Sequence, residues 1–189
     1  LDSKIRALQA QLNPHFLFNS LNDISSLIDE DKIKAQNAIA DLSDLLRKTL
    51  SLKNSKLISL KDELQLLNMY AKIEKLRYDD KWEFIKSIPN GLEQILVPPL
   101  LFQPFLENIF KHGFSEQHQQ VKTLLRLRRT AEFLEIDLVN NGKTLESEPP
   151  IIGNGIGNIL ERLDSLFPGN FEFEISNIVM HDTVFNGPI

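Results

Sequence analysis

The stretch AQNAIADLSDLLRKTL, from Ala35 to Leu50, places its apolar residues three and four positions apart. An α-helix brings such positions onto one face, whereas a strand requires alternation at every second residue. The segment from Ile5 to Ile28 has the same spacing, and the acidic Asp29–Asp31 separates the two. The sequence therefore predicts two antiparallel helices joined by a short turn.

A hairpin of two helices leaves part of its apolar surface in water. We therefore expect a homodimer, in which two hairpins form a four-helix bundle around a two-fold axis. The leucines predicted to pair across this axis are Leu8 and Leu12 on the first helix and Leu42, Leu45 and Leu46 on the second.

The rest of the chain mixes helical and strand periods, which predicts an α+β domain with helices on a mixed sheet. Polar Lys53–Lys56 is the predicted linker, and Ser59 or Ser51 is the predicted cap of the next helix. The predicted division is a dimerisation domain over residues 1–58 and a second domain over residues 59–189. Helices are predicted over Leu60–Tyr78, Leu100–His112 and Gly157–Phe167, and strands over Trp82–Ile85, Val121–Leu127, Phe133–Val139 and a closing pair, Phe171–Ile178 with Thr183–Phe185.

The bulk composition excludes some classes of function. The 189 residues carry a formal net charge of -5, so the basic stripe of a nucleic-acid reader is not expected. With no cysteine, the chain has neither disulfides nor thiolate metal sites. No apolar run reaches the roughly 20 residues that span a membrane. Because Leu1 already lies inside a helical pattern, we expect the chain to be part of a longer protein.

His15 stands directly after a proline in the amphipathic segment Asn13–Asn19. A histidine nucleophile needs a neutral ring, which an ordinary pKa of about 6.5 supplies at neutral pH. Taken alone, such a histidine is more often a half-buried structural residue.

Two later segments carry groups suited to phosphate. Glu107, Asn108, Lys111 and His112 share much of one helix face, and an amide and a carboxylate beside two cations suit a magnesium–phosphate complex. An ordinary solvated helix end would show the same residues. The cluster Gly153–Asn158 precedes a helix and suits close approach to phosphate, although a flexible loop has the same composition.

Together and in this order, the three segments resemble the LytS/YehU-type sensor histidine kinases. The H-box of that family, Asn-Pro-His-Phe-Leu-Phe-Asn-x-Leu-Asn, is matched throughout by Asn13–Asn22. Its N-box, Pro-Pro-x-x-x-Gln-Pro-x-x-Glu-Asn-x-x-x-His-Gly, is matched by Pro98–Gly113. Its G-box, Gly-x-Gly-x-x-Asn-x-x-x-Arg-Leu, is matched by Gly153–Leu163.

The resemblance implies a GHKL-type ATP-binding domain and a kinase that uses ATP and Mg2+. The same resemblance implies the cytoplasmic part of an inner-membrane protein, with membrane segments preceding Leu1. It also implies phosphoryl relay to an aspartate on the receiver domain of a response regulator, which often carries a LytTR-type DNA-binding domain. His15 would accept the phosphoryl group, with Glu107 as base or water-orienting residue and Asn108 as Mg2+ ligand. The other implied nucleotide-binding residues are Lys111 and His112 at the phosphates, Asn140 and Gly142 at the adenine, Gly153 and Gly155 in the lid, and Asn158 in the G-box.

The chain departs from the family pattern at two places. Asn140-Asn141-Gly142 stands where the family has Asp-x-Gly, and the lid up to Gly153 is short and contains Pro149-Pro150. In addition, Phe16 follows His15 where many other histidine kinases have an acid, so assistance by a base must come from elsewhere. One alternative is therefore a degenerate, non-catalytic dimeric signalling module that binds nucleotide weakly. An ATPase or chaperone with the same fold would explain the second domain but not the H-box.

Overall fold

The computed structural model describes residues 14–52, 54–145 and 152–178. The helices in these ranges are α1 Pro14–Glu30, α2 Lys32–Ser51, α3 Leu60–Tyr78, α4 Gln103–His112 and α5 Asn154–Leu166, with a 3-10 turn at Asp79–Lys81. The strands are β1 Ile58–Ser59, β2 Trp82–Ser87, β3 Leu96–Val97, β4 Val121–Arg129 and β5 Leu134–Asn140. The fold class is α+β, as predicted. None of the helices within these ranges combines the length and the apolarity needed to cross a membrane.

The predicted helical hairpin is confirmed in α1 and α2. Asp31 alone separates the two helices, and its carboxylate accepts the backbone N–H of Lys34 at 2.9 Å, which caps α2. The helical pattern predicted before Asn13 lies outside the described residues.

The second unit is built on a sheet in the order β2-β4-β5. Strand β4 lies in the middle, parallel to β2 and antiparallel to β5. A small ladder pairs Ile58 with Val97 just before α3. Ser59 caps α3, because its hydroxyl oxygen accepts the N–H of Asp62 at 3.1 Å. The paired strands β4 and β5 confirm the prediction for this part of the sequence.

Two predicted element boundaries and one predicted hairpin differ from the structure. Helix α5 begins at Asn154 rather than Gly157, and α4 begins at Gln103 rather than Leu100. Residues 171–178 form no strand, so the closing hairpin predicted there is wrong, and Thr183–Phe185 lies outside the described residues.

Helix α3 lies against both helices of the hairpin, and all three contribute to one hydrophobic core. Leu45 is fully buried and Leu42 is 5% exposed within the single chain. The prediction that these two leucines pair across a two-fold axis is therefore wrong, since the chain's own α3 and core already cover the apolar side of α2. A periodic pattern shows which face of a helix is buried but not which partner covers it.

Candidate nucleotide and phosphoacceptor site

Helix α4, which carries the predicted N-box, is anchored at its start by a buried carboxylate. Glu63 of α3 accepts the backbone N–H of Leu100 at 2.7 Å and that of Phe102 at 3.1 Å. Burial raises the pKa of Glu63 to about 7, while these N–H groups and the charge of Arg162 act to lower it. Leu100 has a φ of 59°, a left-handed conformation unusual for a residue with a side chain. The Glu63 contacts hold the chain in this turn, which explains the later start of α4.

Arg162 ties the G-box helix to the same turn. Its guanidinium donates to the carbonyl of Pro99 at 2.6 Å. At the other end of the same helix, the ideal Cβ position of Gly155 lies 3.6 Å from the Cβ of Pro104. The first turns of α4 and α5 therefore lie together, and Arg162 joins the later part of α5 to the turn before α4.

The loop after β5 meets the end of α4. The N–H of Lys143 donates to the carbonyl of Gly113 at 2.8 Å, and Asn140 Oδ1 accepts the N–H of Gly142 at 2.9 Å. A Cβ on Gly142 would lie 2.3 Å from the backbone oxygen of Gly113, which is closer than real atoms approach. Only glycine fits at this crossing.

The remaining predicted nucleotide-binding residues lie on this same framework. On α4, Asn108 is half-buried, while Lys111 and His112 are exposed in the last turn. Gly153 is the N-terminal cap of α5 in an extended conformation, and Asn158 is exposed on that helix. A helix start leaves backbone N–H groups free of intrahelical partners, which favours anions there.

The donor set fits a magnesium–nucleotide better than a free metal ion. Within the described ranges, no group of three or more His, Asp and Glu side chains is placed to hold a metal. Magnesium is commonly held by one or two protein oxygens together with phosphate oxygens. The Asn108 amide is the protein oxygen available for that role, and Lys111 and His112 supply donors beside it.

His15 is exposed on α1, one residue before the buried Phe16. The side-chain nitrogen of Asn19 lies 3.0 Å from Nδ1 of His15 and 3.3 Å from Nε2. An amide N–H donates only to a ring nitrogen that carries no proton, so the tautomer of His15 decides which of its nitrogens accepts from Asn19. Asn19 had no predicted role of its own, although a spacing of four residues on a helix is the signal that brings the two side chains together.

An aromatic hub connects the H-box helix with the N-box helix through α3. We define this hub as Phe16, Tyr70 and Phe110. The ring centroids of Phe16 and Tyr70 are 4.6 Å apart, and those of Tyr70 and Phe110 are 6.5 Å apart. Aromatic pairs at such distances attract each other beyond simple burial. The hub fixes the level of His15 along α3.

Two acids adjoin the hub. Tyr70 donates its hydroxyl to Glu74 at 3.0 Å. Burial raises the pKa of Tyr70 well above its ordinary value, and the negative charges of Glu74 and then Glu107 add to the effect. Glu107 itself accepts from Gln103 at 2.7 Å. The N-box acid thus acts on the same tyrosine that contacts the H-box.

Comparisons with known proteins agree with these features. The histidine kinase family model matches residues 3–82. The sensor protein LytS of Staphylococcus saprophyticus is 34% identical over 183 residues, covering 93% of this chain and 31% of that protein. The sensor histidine kinase BtsS of Escherichia coli is 32% identical over 174 residues, covering 92% and 31%. LytS of Bacillus subtilis is 32% identical over 197 residues, covering 96% and 33%.

Residues 3–82 therefore match the histidine kinase family, and most of the chain is similar to the sensor kinases LytS and BtsS. The chain spans about a third of the length of these curated relatives. Among solved structures, it resembles the histidine kinase domain of a blue-light-activated histidine kinase from Erythrobacter litoralis, with a TM-score of 0.49 and 14% identity over 88% of this chain and 85% of that one.

Glu63, Tyr70, Glu74 and Arg162 take part in the framework of the site, although the sequence alone did not single them out. Tyr70 and Glu74 are four residues apart on α3, a spacing that indicates contact on a helix. The partners of Glu63 and Arg162 lie 37 or more residues away in sequence. No local sequence pattern indicates contacts between residues so far apart in the chain.

Glu74→Gln is expected to remove part of the pH dependence of folding. Burial raises the pKa of Glu74 from 4.5 to about 7. The folded state therefore binds more protons than the unfolded state between these values, and the free energy of unfolding falls as the pH rises through that window. Since one pKa unit corresponds to about 1.4 kcal/mol, the variant should be more stable than wild type by about 1–3 kcal/mol at pH 8 and nearly equal at pH 5. Denaturant titrations at both pH values measure the difference.

The matched control is Glu161→Gln, since Glu161 is exposed on α5. It should leave the pH dependence of the free energy of unfolding as in wild type. A Glu74→Gln variant that loses stability at pH 8 would contradict the expected cost of the ionised carboxylate.

Proposed function

We propose that this chain is the catalytic core of a two-component sensor histidine kinase, which phosphorylates His15 from Mg-ATP and relays the phosphoryl group to an aspartate on a response regulator. The observation that carries the proposal is the position of His15. The histidine is exposed, while the adjacent Phe16 is buried against Tyr70 beside the N-box helix. An acceptor for phosphate needs both an accessible nitrogen and a fixed position.

The chain's own residues divide this work among them. Asn19 orients the His15 ring, and Glu107 is the candidate base. Lys111 and His112 neutralise phosphate charge, and Asn108 holds the metal. Mg-ATP, when bound, supplies the γ-phosphoryl group and neutralises part of its charge. Phosphoryl transfer depends mostly on positioning and electrostatics, so such a set is sufficient in kind.

The remaining site residues contribute by placing the backbone or a side chain close to the nucleotide. Gly142 allows the loop after β5 to approach α4, and Asn140 reads the adenine from the last position of β5. Gly153 and Gly155 let the lid and the first turn of α5 come close to phosphate, and Asn158 lies one turn further along that helix.

The decisive experiment incubates the protein with Mg2+ and ATP labelled at the γ-phosphate. Phosphohistidine is acid-labile and stable to alkali, so label that is lost in acid and kept in alkali supports a histidine kinase. The alternative, a non-catalytic signalling module that binds nucleotide weakly, is favoured by Asn140 in place of an aspartate. It predicts no label at all under conditions where the nucleotide is bound.

We further propose that the dimer uses a different surface from the one predicted. Phe18, Leu21 and Ile28 of α1 are 69%, 55% and 52% exposed, and their spacing places them on one face of the helix. This stripe lies on α1 away from Phe16, which faces α3. A second copy of the chain is the partner expected to cover it, as in a bundle of two hairpins.

Further partners follow from the family relationship. The response regulator would present a receiver domain, with a LytTR-type DNA-binding domain as the expected output module. A cytoplasmic position, next to membrane segments preceding Leu1, is the corresponding proposal for localisation.

Asn140→Asp is expected to tighten ATP binding. A carboxylate accepts a hydrogen bond from the adenine amino group more strongly than an amide does, by about 0.5–2 kcal/mol. The affinity should therefore rise roughly 2- to 30-fold. The contact with the N–H of Gly142 remains available to either side chain, so the turn should persist.

Titration calorimetry with ATP and ITP tests this expectation. ITP lacks the amino group, so its affinity should hardly change and serves as the control. If the variant binds ATP no better than wild type, Asn140 does not read adenine.

A further inference from the structure

The hairpin is fixed to α3 of its own chain at three levels. Three ion pairs join them: Lys48 to Asp62 at 3.3 Å, Asp41 to Lys72 at 2.7 Å, and Asp23 to Arg77 at 2.6 Å. From Asp62 to Arg77, at 1.5 Å per residue, these contacts extend over roughly 22 Å of α3. A single exposed ion pair contributes little, but several on a packed interface specify one register.

The contacts define that register without ambiguity. Phe16 meets Tyr70 and Asp23 meets Arg77, so the two contacts are separated by the same number of residues on both helices. Helix α1 therefore runs parallel to α3, while α2 runs antiparallel to it. His15 is held at the level of Tyr70, whose ring adjoins Phe110 of the N-box helix.

The connection between the two units is short. Residues 52–57 join the end of α2 to β1, and six residues span at most about 20 Å. Lys48, in the last turn of α2, already contacts Asp62 in the first turn of α3. The chain thus turns directly back on itself, which keeps the nucleotide-binding unit beside its own hairpin.

We propose that phosphoryl transfer occurs within one chain, in this docked arrangement, so that nucleotide held by α4 and α5 phosphorylates His15 of the same protomer. The inference rests on the proposed function. In the step, a ring nitrogen of His15 forms a bond to the γ-phosphorus while the bond from that phosphorus to the bridging oxygen breaks. ADP leaves with the electron pair, and the other ring nitrogen releases its proton to a base. The exposed stripe of Phe18, Leu21 and Ile28 faces away from α3, so dimerisation through it leaves the docked contacts intact.

Mixing two inactive variants decides between transfer within a chain and transfer between chains. His15→Gln, carried on a chain enlarged by a fusion tag, lacks the acceptor, and Asn108→Ala lacks the metal ligand. The two are co-expressed, purified together through separate tags, and incubated with labelled ATP. We expect no label on either band, whereas label on the Asn108→Ala chain overturns the proposal. If the protein is monomeric, the same mixture tests transfer between colliding molecules. Absence of label again supports transfer within one chain, and label on the Asn108→Ala chain again overturns it.

Two controls make the negative result informative. Wild type must take up label, since its failure to do so contradicts the proposed function and not the route of transfer. Phosphoramidate, which phosphorylates exposed histidines chemically, should modify His15 in Asn108→Ala as fast as in wild type. This shows that the acceptor of the variant is intact.

The docked arrangement has a test of its own. Arg77→Ala should lower the labelling rate without changing ATP affinity, because Arg77 contacts the hairpin and not the nucleotide-binding residues. Exchanging the charges, with Asp23→Arg and Arg77→Asp together, should recover part of the rate. Labelling of Arg77→Ala at the wild-type rate, or no recovery in a folded exchange variant, contradicts docking as the productive arrangement.

Discussion

His15→Gln is expected to reduce phosphate incorporation to background while leaving ATP affinity unchanged. Glutamine keeps a polar side chain at the exposed position but offers no imidazole nitrogen to accept the phosphoryl group. The nucleotide-binding residues lie on α4, α5 and the loop after β5, none of which includes His15. Because the side chain is exposed, its replacement should change the free energy of unfolding by no more than about 0.5 kcal/mol. Labelling with γ-labelled ATP and calorimetry with a non-hydrolysable analogue measure the two quantities.

The matched control is His118→Gln, the same substitution in the turn between α4 and β4. His118 contacts Ser115 within that turn and lies outside the proposed site. The His118→Gln variant should incorporate as much phosphate as wild type. Equal labelling of His15→Gln would place the acceptor on another histidine.

Gly142→Ala is expected to weaken both folding and nucleotide binding. The added Cβ would stand 2.3 Å from the carbonyl oxygen of Gly113 and 2.8 Å from its carbonyl carbon, and both are backbone atoms that no rotamer change can move aside. The loop after β5 must therefore separate from α4, at a cost of about 1–3 kcal/mol. If that cost falls on the nucleotide-binding arrangement, ATP affinity should drop roughly 5- to 150-fold. Thermal unfolding and calorimetry report the two effects.

Gly157→Ala is the matched control for folding. A Cβ at Gly157 meets no atom within 4 Å, and the residue lies inside α5. Alanine is favoured over glycine in a helix by about 1 kcal/mol, so this variant should unfold at an equal or higher temperature. If Gly142→Ala is as stable as wild type and binds ATP equally well, the crossing with Gly113 is not a constraint.

Helices and strands were predictable where the spacing of apolar residues along the sequence is periodic. The apolar spacing along α1 and α2 and the alternation along β4 and β5 depend on local geometry, so these elements follow from the sequence. The start of α5 was misplaced because Gly155 and Gly157 suggested a loop, whereas the first turn of α5 lies against Pro104 of α4. The docking of α2 onto α3 was missed for another reason. Burial of Leu45 satisfies the same apolar pattern whether a second copy or the chain's own α3 covers it.

The candidate site was predictable only through its motifs. The residues of the H-box, N-box and G-box lie on the framework of α1, α4 and α5 that the resemblance implies. Their supports were not predictable, since Glu63 and Arg77 depend on partners brought together by the tertiary fold. The sequence does not indicate that an acid on a helix is buried when its hydrogen-bond donors are the N–H groups of a turn that is distant in sequence.

The register between α1 and α3 has a mechanical consequence. If α1 slid along its axis by one helical turn, about 5.4 Å, Asp23 would leave Arg77 and come level with Ile73, which is 2% exposed. A carboxylate facing a buried isoleucine has no partner, so the register shifted by one turn is unfavourable. A push or pull that moves His15 by one turn along α3 must therefore break the ion pair between Asp23 and Arg77.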